Sequence, residues 1–250
     1  MKAEVARLID IHCHIMPGVD DGSGNMSDST EMALLAYKSG TKKIIVTPHC
    51  NTDPQRRNFW DSEMENKFIS LQTQLKAENI PIEIFRGQEL FLSGGFIDGL
   101  RQGRFITLNS SAYVLAELDI RESASSAYSK LHRLVSEGYV PIVAHPERYK
   151  FVQEQHDAIC KIKETGSLIQ VNKGSLKGSF GFHAHKTAIE IIDTRQADFI
   201  AGDAHSQYSR TPVLADVHEF ICEKISSDYA DFLVKYNPQK VLDNEEIYGY

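Results

Sequence analysis

Residues 8–14 read LIDIHCH, a largely apolar run that ends in two histidines separated by one residue. Such a run is typical of a buried β-strand. Alternate residues of a strand point to the same face, so His12 and His14 leave the strand on one side. Two imidazoles there suit a divalent cation, although a core strand followed by a solvated turn would give the same pattern. The strands that follow decide between these two interpretations.

Six further apolar segments follow the first and alternate with segments of helical periodicity. This alternation is typical of a parallel sheet, and seven units favour a closed or nearly closed barrel, with a doubly wound open sheet as the alternative. No break in composition separates the units, so we expect residues 1–250 to form a single domain. The expected strands are residues 8–14, 43–49, 80–89, 113–117, 139–145, 167–172 and 197–205, and the expected helices are residues 27–37, 61–79, 124–137, 153–165, 183–194 and one that begins near residue 213.

The composition is that of a globular protein, with 42% apolar and 24% charged residues. No apolar stretch approaches the length that spans a membrane, and no secretion signal is recognisable, so we expect no direct membrane insertion. The net charge of −7 argues against a nucleic-acid partner. Four widely spaced cysteines fit reduced thiols, which predicts a cytoplasmic protein. They are Cys13, Cys50, Cys160 and Cys222.

Six of the seven expected strands end in a side chain that could bind a metal. In (β/α) barrels the carboxyl ends of the strands converge on one rim, which carries the active site. Any one of these residues alone would be an ordinary hydrogen-bonded group, but convergent carboxylates need cations between them. A carboxylate on the turn VDDG (19–22) joins the same set. The candidate ligands are His12, His14, Asp21, His49, Glu89, Glu117, His145, Asp203 and His205.

The mixture of imidazoles and carboxylates, without thiolates, suits Mn²⁺, Fe²⁺ or Zn²⁺. Nine side chains are too many for one ion, so we expect two or three. Clustered divalent ions suit the hydrolysis of a phosphate ester, because they activate water and hold phosphoryl oxygens.

Two arginines follow expected ligands closely: Arg148 lies soon after His145, and Arg210 soon after His205. Guanidinium groups match phosphate oxygens in a bidentate fashion, although either arginine could equally lie on a surface loop. The sequence therefore gives Arg148 and Arg210 as candidate phosphate-binding catalytic residues. Secondary candidates for a phosphate or product contact are Lys173, Ser175 and Lys177.

Seven motifs carry a resemblance to a known superfamily: DIHCH (10–14), VDDG (19–22), TPH (47–49), GQE (87–89), LAE (115–117), AHPER (144–148) and GDAH (202–205). Together they resemble the PHP (polymerase and histidinol phosphatase) superfamily. More narrowly, they are similar to its bacterial manganese-dependent protein-tyrosine phosphatases of capsular and exopolysaccharide operons, of the CpsB/CapC type. The VDDG turn and the HPERY sequence favour this group over the histidinol phosphatases.

The resemblance implies an α/β fold, a distorted (β/α)7 barrel of the PHP type, with a trinuclear metal centre that holds manganese. It implies that Arg148 and Arg210 grip the phosphate, and that a metal-bridging hydroxide attacks phosphorus in line. The substrates would be phosphotyrosines on the tail of a bacterial tyrosine kinase that controls polysaccharide synthesis. By position, the three ions would be held by His12, His14, Glu89 and Asp203; by Glu89, Glu117 and His145; and by Asp21, His49 and His205.

Three alternatives remain open. Another PHP phosphoesterase, such as a histidinol phosphatase, would share the metal centre, and a non-catalytic regulator would hold metals and bind the kinase tail without turnover. The spacing of His49, Cys50 and Arg56 also reproduces the His-Cys-x5-Arg pattern of cysteine-dependent tyrosine phosphatases. The loop between Cys50 and Arg56 has no glycine but has an aspartate and a proline, which argues against a phosphate-binding loop.

Overall fold

The structure is a computed structural model that describes residues 7–52 and 57–250. Within these residues every pairing between neighbouring strands is parallel. The strands are β1 (Leu8–Cys13), β2 (Thr41–Val46), β3 (His49–Cys50), β4 (Glu83–Phe85), β5 (Glu89–Phe91), β6 (Tyr113–Glu117), β7 (Val140–Ala144), β8 (Leu168–Asn172) and β9 (Phe199–Ala201).

Two of the seven expected strands are interrupted. The second is divided into β2 and β3 at Thr47-Pro48, and the third into β4 and β5 at residues 86–88. Pro48 has no N–H to donate, so the ladder of β2 cannot continue through it. The sheets therefore run in the orders β1-β2-β4 and β3-β5-β6-β7-β8-β9, which together give seven barrel positions in chain order.

The barrel closes between its last strand and its first. His14 N–H donates to the carbonyl of Ala204 at 2.9 Å, and Asp203 N–H donates to the carbonyl of His12 at 2.8 Å. The buried carboxylate of Asp10 accepts the Gly202 N–H at 3.0 Å. Because β9 thus returns to β1, the expected distorted (β/α)7 barrel is confirmed, and the open doubly wound sheet is wrong.

Helices surround the strands and bury one apolar stripe each, as Phe68, Leu71 and Leu75 do in the second helix. The expected helix 153–165 is in fact two helices, because residues 155–157 interrupt it. Four helices were not expected, and all are too short for a clear period. The helices are α1 (Met26–Lys38), α2 (Ser62–Ala77), α3 (Phe96–Arg101), α4 (Ala124–Ser136), α5 (Lys150–Glu154), α6 (Ala158–Glu164), α7 (Lys173–Leu176), α8 (Phe182–Asp193), α9 (Ala215–Lys224), α10 (Ser227–Asp231) and α11 (Asn237–Asp243).

Apolar side chains from β1, β2, β6, β7 and β9 fill the interior of the barrel, and Val241 and Leu242 of α11 pack against them. The carbonyl of Leu242 accepts a hydrogen bond from Asn109, just before β6 begins. Helix α11 therefore covers the amino ends of the strands and leaves their carboxyl ends free to form a site. None of the helices in the described ranges is long and apolar enough to cross a membrane.

Candidate metal centre

All nine expected ligands meet at the carboxyl end of the barrel. Six of them are buried, while Asp21, His49 and Glu117 form the more open side. Parallel strands end on the same rim, so residues far apart in the sequence become neighbours there. Strands carry His12, His49, Glu89 and Glu117, and the loops after β1, β7 and β9 carry His14, Asp21, His145, Asp203 and His205.

The first group surrounds His12 and His14, at the carboxyl end of β1. The Nε2 atoms of His12 and His14 lie 3.1 Å apart. Glu89 reaches them with its two oxygens, Oε1 at 3.3 Å from His12 and Oε2 at 3.4 Å from His14. Asp203 Oδ1 lies 3.5 Å from the first ring and 3.4 Å from the second. Two imidazoles and two carboxylates thus face one point.

The second group shares Glu89 with the first. His145 Nε2 lies 3.0 Å from Glu89 Oε1 and 3.9 Å from Glu117 Oε1. His49 Nδ1 lies 2.8 Å from Glu89 Oε2 and 3.5 Å from Glu117 Oε2. Ligand atoms of His49, Glu89 and Glu117 all lie within 4.8 Å of one another. Glu89 therefore stands between two groups, where a bridging carboxylate would stand.

The third group lies on the open side. Asp21 Oδ1 is 3.5 Å from His49 Nε2 and 3.4 Å from His205 Nε2. His14 completes a set in which one ligand atom from each residue falls within 4.8 Å of the others. Three overlapping groups therefore exist, and His14, His49 and Glu89 each belong to two of them.

The charges of the centre are strongly coupled. Burial opposes protonation of His49, yet the carboxylates of Glu89 and Glu117 raise its pKa to about 10. Burial likewise opposes protonation of His14, but Asp20 and the neighbouring carboxylates hold its pKa well above the usual range. Burial would raise the pKa of Glu89, whereas the imidazoles keep it well below the usual value. The buried acids thus demand positive charge beside them.

The donor set fits divalent cations. Glu89 Oε2, His49 Nδ1 and His205 Nε2 are buried, and none of them makes an aligned hydrogen bond. Buried polar atoms without partners are rare in folded proteins, and each of these three points toward the shared centre. Imidazole nitrogen with carboxylate oxygen is a common ligand mixture for Mn²⁺, Fe²⁺ and Zn²⁺.

Two residues that the sequence did not single out orient His12 and His14. His14 Nδ1–H donates to Asp20 Oδ2 at 2.7 Å, and His12 Nδ1–H donates to Gln170 Oε1 at 2.9 Å. Both contacts leave Nε2 free to face the centre, as outer partners of metal-bound histidines commonly do. Asp20 was detectable as the acid next to Asp21, but only the fold separates their roles.

The turn after β1 lies directly against the histidine it supports. A Cβ atom on Gly22 would be 2.2 Å from the carbonyl oxygen of His14. Gly22 N–H also donates to Asp20 Oδ1 at 3.0 Å. Glycine is therefore required here for close approach, and the turn holds Asp20 in place.

Both expected arginines reach the far oxygen of Asp203. Oδ1 of this carboxylate faces the histidines, whereas Oδ2 lies 2.5 Å from Arg210 Nη2 and 3.8 Å from Arg148 Nη1. Both guanidinium groups are partly exposed, so they border the centre on its solvent side. His145, Asp203 and Arg210 have φ of 36°, 47° and 49°, a left-handed backbone that is costly for these residues and common at functional sites.

The three secondary candidates make other contacts in the structure, and their role in phosphate or product contact stays a prediction. Lys173 Nζ donates to the carbonyls of Thr211 and Val213 and ties down the loop that follows Arg210. Ser175 donates to the buried carboxylate of Glu147 at 2.6 Å. Lys177 pairs with Asp216 at the surface.

The cysteine alternative fails at Cys50. Its side chain is fully buried in the apolar core, among residues such as Leu90 and Leu92. Burial raises the pKa of this thiol well above its ordinary value, whereas a nucleophilic cysteine needs a lowered pKa. Arg56, the other end of the pattern, lies outside the described residues.

Comparison with known families places these features in context. The family described as "Capsular polysaccharide synthesis, CpsB/CapC" matches residues 8–243. The chain is 30% identical over 241 residues to tyrosine-protein phosphatase YwqE of Bacillus subtilis, covering 96% of this chain and 94% of the relative. It is 26% identical over 248 residues to tyrosine-protein phosphatase CpsB of Streptococcus agalactiae, covering 96% and 100%.

Solved structures agree with the fold. A crystal structure from a study of YwqE from B. subtilis and CpsB from Streptococcus pneumoniae, described as metal-dependent tyrosine phosphatases, matches with a TM-score of 0.88. That match has 30% identity and covers 97% of both chains. The lactonase Lmo2620 from Listeria monocytogenes matches with a TM-score of 0.63 at 11% identity, covering 97% and 96%, and shares the fold alone.

Proposed function

The chain belongs to the CpsB/CapC family of capsular polysaccharide synthesis, and we propose that it is a metal-dependent protein-tyrosine phosphatase. One observation carries this proposal. Three groups of imidazoles and carboxylates overlap through His14, His49 and Glu89, and two arginines border them through Asp203. Clustered cations next to guanidinium groups suit a phosphate monoester.

The metal ligands are proposed to divide as the groups do. His12, His14, Glu89 and Asp203 would hold one ion. Glu89, Glu117 and His145 would hold a second, and His49 also lies close to this set. Asp21, His49 and His205 would hold a third, with His14 beside them. When bound, divalent ions would supply an activated water and offset charge on the phosphoryl oxygens.

The arginines bind and orient the phosphate. Each is tethered at Asp203 Oδ2 and leaves further N–H groups free, because a guanidinium group has five. A dianionic phosphate beside them would interact with preorganised positive charge. This interaction would strengthen as negative charge develops on the equatorial oxygens. A phenolate leaves readily, so a strong acid on the protein is not required.

The finer assignments follow from the family and the ligand mixture. We propose Mn²⁺ as the working metal, since carboxylates and imidazoles without thiolates suit it. The proposed substrate is the phosphotyrosine tail of a bacterial tyrosine kinase that controls capsular or exopolysaccharide synthesis. We propose a cytoplasmic location, because four widely spaced cysteines fit reduced thiols.

The test is turnover of a phosphotyrosyl peptide by the metal-free protein after each divalent metal is restored in turn. We expect phosphate release with Mn²⁺, none with EDTA, and a large loss in Glu89→Gln. Faster turnover of histidinol phosphate would support the histidinol phosphatase alternative instead. Tight binding of the peptide without phosphate release would support a non-catalytic regulator.

A further inference from the structure

The two arginines at Asp203 share a second partner, the ring of Phe180. The guanidinium carbon of Arg148 lies 4.4 Å from the centre of this ring, and that of Arg210 lies 5.6 Å from it. Phe180 is partly buried and lies in the loop between α7 and α8. An aromatic face is electronegative, so a ring in this position attracts both cations.

The contact with Phe180 offsets the repulsion and the rotational freedom of the two arginine side chains. Two guanidinium groups that converge on Asp203 Oδ2 repel each other, and each stands at the end of a long side chain with many rotamers. The carboxylate fixes one edge of each group. The ring of Phe180 adds a flat apolar surface that limits rotation about that tether.

The space for the ring depends on a glycine. A Cβ atom on Gly174 would lie 2.6 Å from Phe180 Cε2, closer than such atoms approach in proteins. Gly174 N–H donates to Asn172 Oδ1 at 2.8 Å, and the amide nitrogen of Asn172 donates to Asp203 Oδ2. The short helix α7 is thus fastened to the same carboxylate that holds the arginines.

We propose that Phe180 is a positioning residue that holds Arg148 and Arg210 together in the phosphate-binding geometry, and that Gly174 keeps its place open. The proposal rests on the proposed function, because it concerns the same phosphate. It assigns no contact between Phe180 and the substrate. Its effect therefore passes through the arginines alone.

The first test uses the manganese-loaded full-length protein with Phe180→Leu and Phe180→Tyr. The leucine keeps apolar bulk but has no aromatic face, so we expect KM for an aryl phosphate to rise about 3- to 30-fold. The inhibition constant of inorganic phosphate should rise by the same factor. Phe180→Tyr should restore both values, and manganese content should not change.

A matched control is Phe182→Leu. Phe182 is 73% exposed and stands two residues away, and among the described residues Phe180 is the ring that faces the two arginines, so both constants should stay at the wild-type values. Gly174→Ala should raise both constants as Phe180→Leu does, because the added methyl group would displace the Phe180 ring without changing its chemistry. In an Arg148→Lys background the effect of Phe180→Leu should shrink, because one of its two targets is gone.

Two results would overturn the proposal. One is an unchanged KM and phosphate inhibition constant in Phe180→Leu. The other is a raised KM for aryl phosphate with unchanged inhibition by inorganic phosphate, which would mean that the ring contacts the substrate's phenyl group. If the wild-type protein does not hydrolyse aryl phosphates, the proposed function fails. Calorimetric binding of inorganic phosphate to the manganese-loaded variants would then still test Phe180.

Discussion

At the scale of single residues, the neighbouring carboxylates of Asp20 and Asp21 have different roles. Asp21 points one oxygen at His49 and His205, whereas Asp20 is almost fully buried and accepts from His14 Nδ1 and from the His49 backbone. Asp203 divides its two oxygens between histidines and arginines. The role of each carboxylate depends on which neighbour each of its two oxygens contacts.

Asp20→Asn should weaken metal binding about 10- to 100-fold, since the amide is a poorer partner for His14 Nδ1–H. Activity at saturating Mn²⁺ should remain close to wild type, because Asp20 itself faces away from the centre. Metal titration of activity measures both quantities. Asp243→Asn, an exposed change on α11, is the control. Unchanged metal affinity in Asp20→Asn would contradict this role.

Cys50→Ser should keep full activity with Mn²⁺, because the thiol is buried in the core and its pKa is raised. The variant should lose stability by about 1–2 kcal/mol, since a hydroxyl replaces an apolar thiol in the core. Phosphatase assays and denaturant unfolding measure the two effects separately. Loss of activity in a folded Cys50→Ser variant, with EDTA having no effect on the wild type, would restore the cysteine mechanism.

At the scale of elements, the interruptions of two strands shape the site. Strand β3 pairs with β5 so that His49 stands beside Glu89, and β5 pairs with β6 so that Glu89 stands beside Leu115. If β2 had continued without interruption through Pro48, the pairing of β2 with β4 would have determined the position of His49. The break allows a second, separate register at the rim.

Asp231 of α10 contacts His218 of α9, and this contact predicts how the stability of the fold changes with pH. Asp231 Oδ1 lies 2.6 Å from His218 Nε2 and 2.6 Å from Lys235 Nζ. Burial opposes the charge of Asp231, but Lys235 and His218 lower its pKa below the usual value of 3.8. A carboxyl with a lowered pKa in the folded state stabilises the fold above its unfolded pKa and loses that contribution as the pH falls through its folded pKa.

Asp231→Asn should therefore lower the free energy of unfolding by about 1 kcal/mol at pH 7. The difference from wild type should shrink below about pH 4 and vanish at lower pH, where both chains are uncharged at this position. Urea unfolding across this range measures it, with Asp228→Asn on the exposed start of α10 as the control. A difference that persists at pH 2 would rule out the ionic origin.

At the scale of the whole molecule, the barrel gathers acids that would repel one another without cations. The contact of β1 with the segment after β9 joins the first and last strands of the barrel. That residues 1–250 form a single domain stays a prediction, and this contact is its support. Metal ions and barrel closure act on the same rim, so each should stabilise the other.

Manganese should raise the melting temperature by about 5–10 °C when its concentration is about 100 times its dissociation constant. At one fixed manganese concentration, the shift should be larger at pH 8 than at pH 6. The pKa of His49 without metal is raised to about 10, so a proton must leave before a metal binds, and this competition weakens as the pH rises. Thermal scans with and without EDTA measure it, and Glu89→Gln should reduce the shift. A larger shift at pH 6 would contradict the competition.

The sequence by itself indicated the seven barrel positions and the residues at their carboxyl ends, because a buried apolar run and the direction of its strand are local properties. Both arginines could also be proposed as phosphate-binding residues from the sequence, because each stands a few residues beyond a rim histidine. Tertiary structure alone decided that His14 and His49 each face two groups, that Asp20 orients while Asp21 faces the centre, and that Phe180 lies within reach of both arginines. These facts depend on registers, loop closure and side-chain direction across distant strands, where a shift of one residue changes every neighbour.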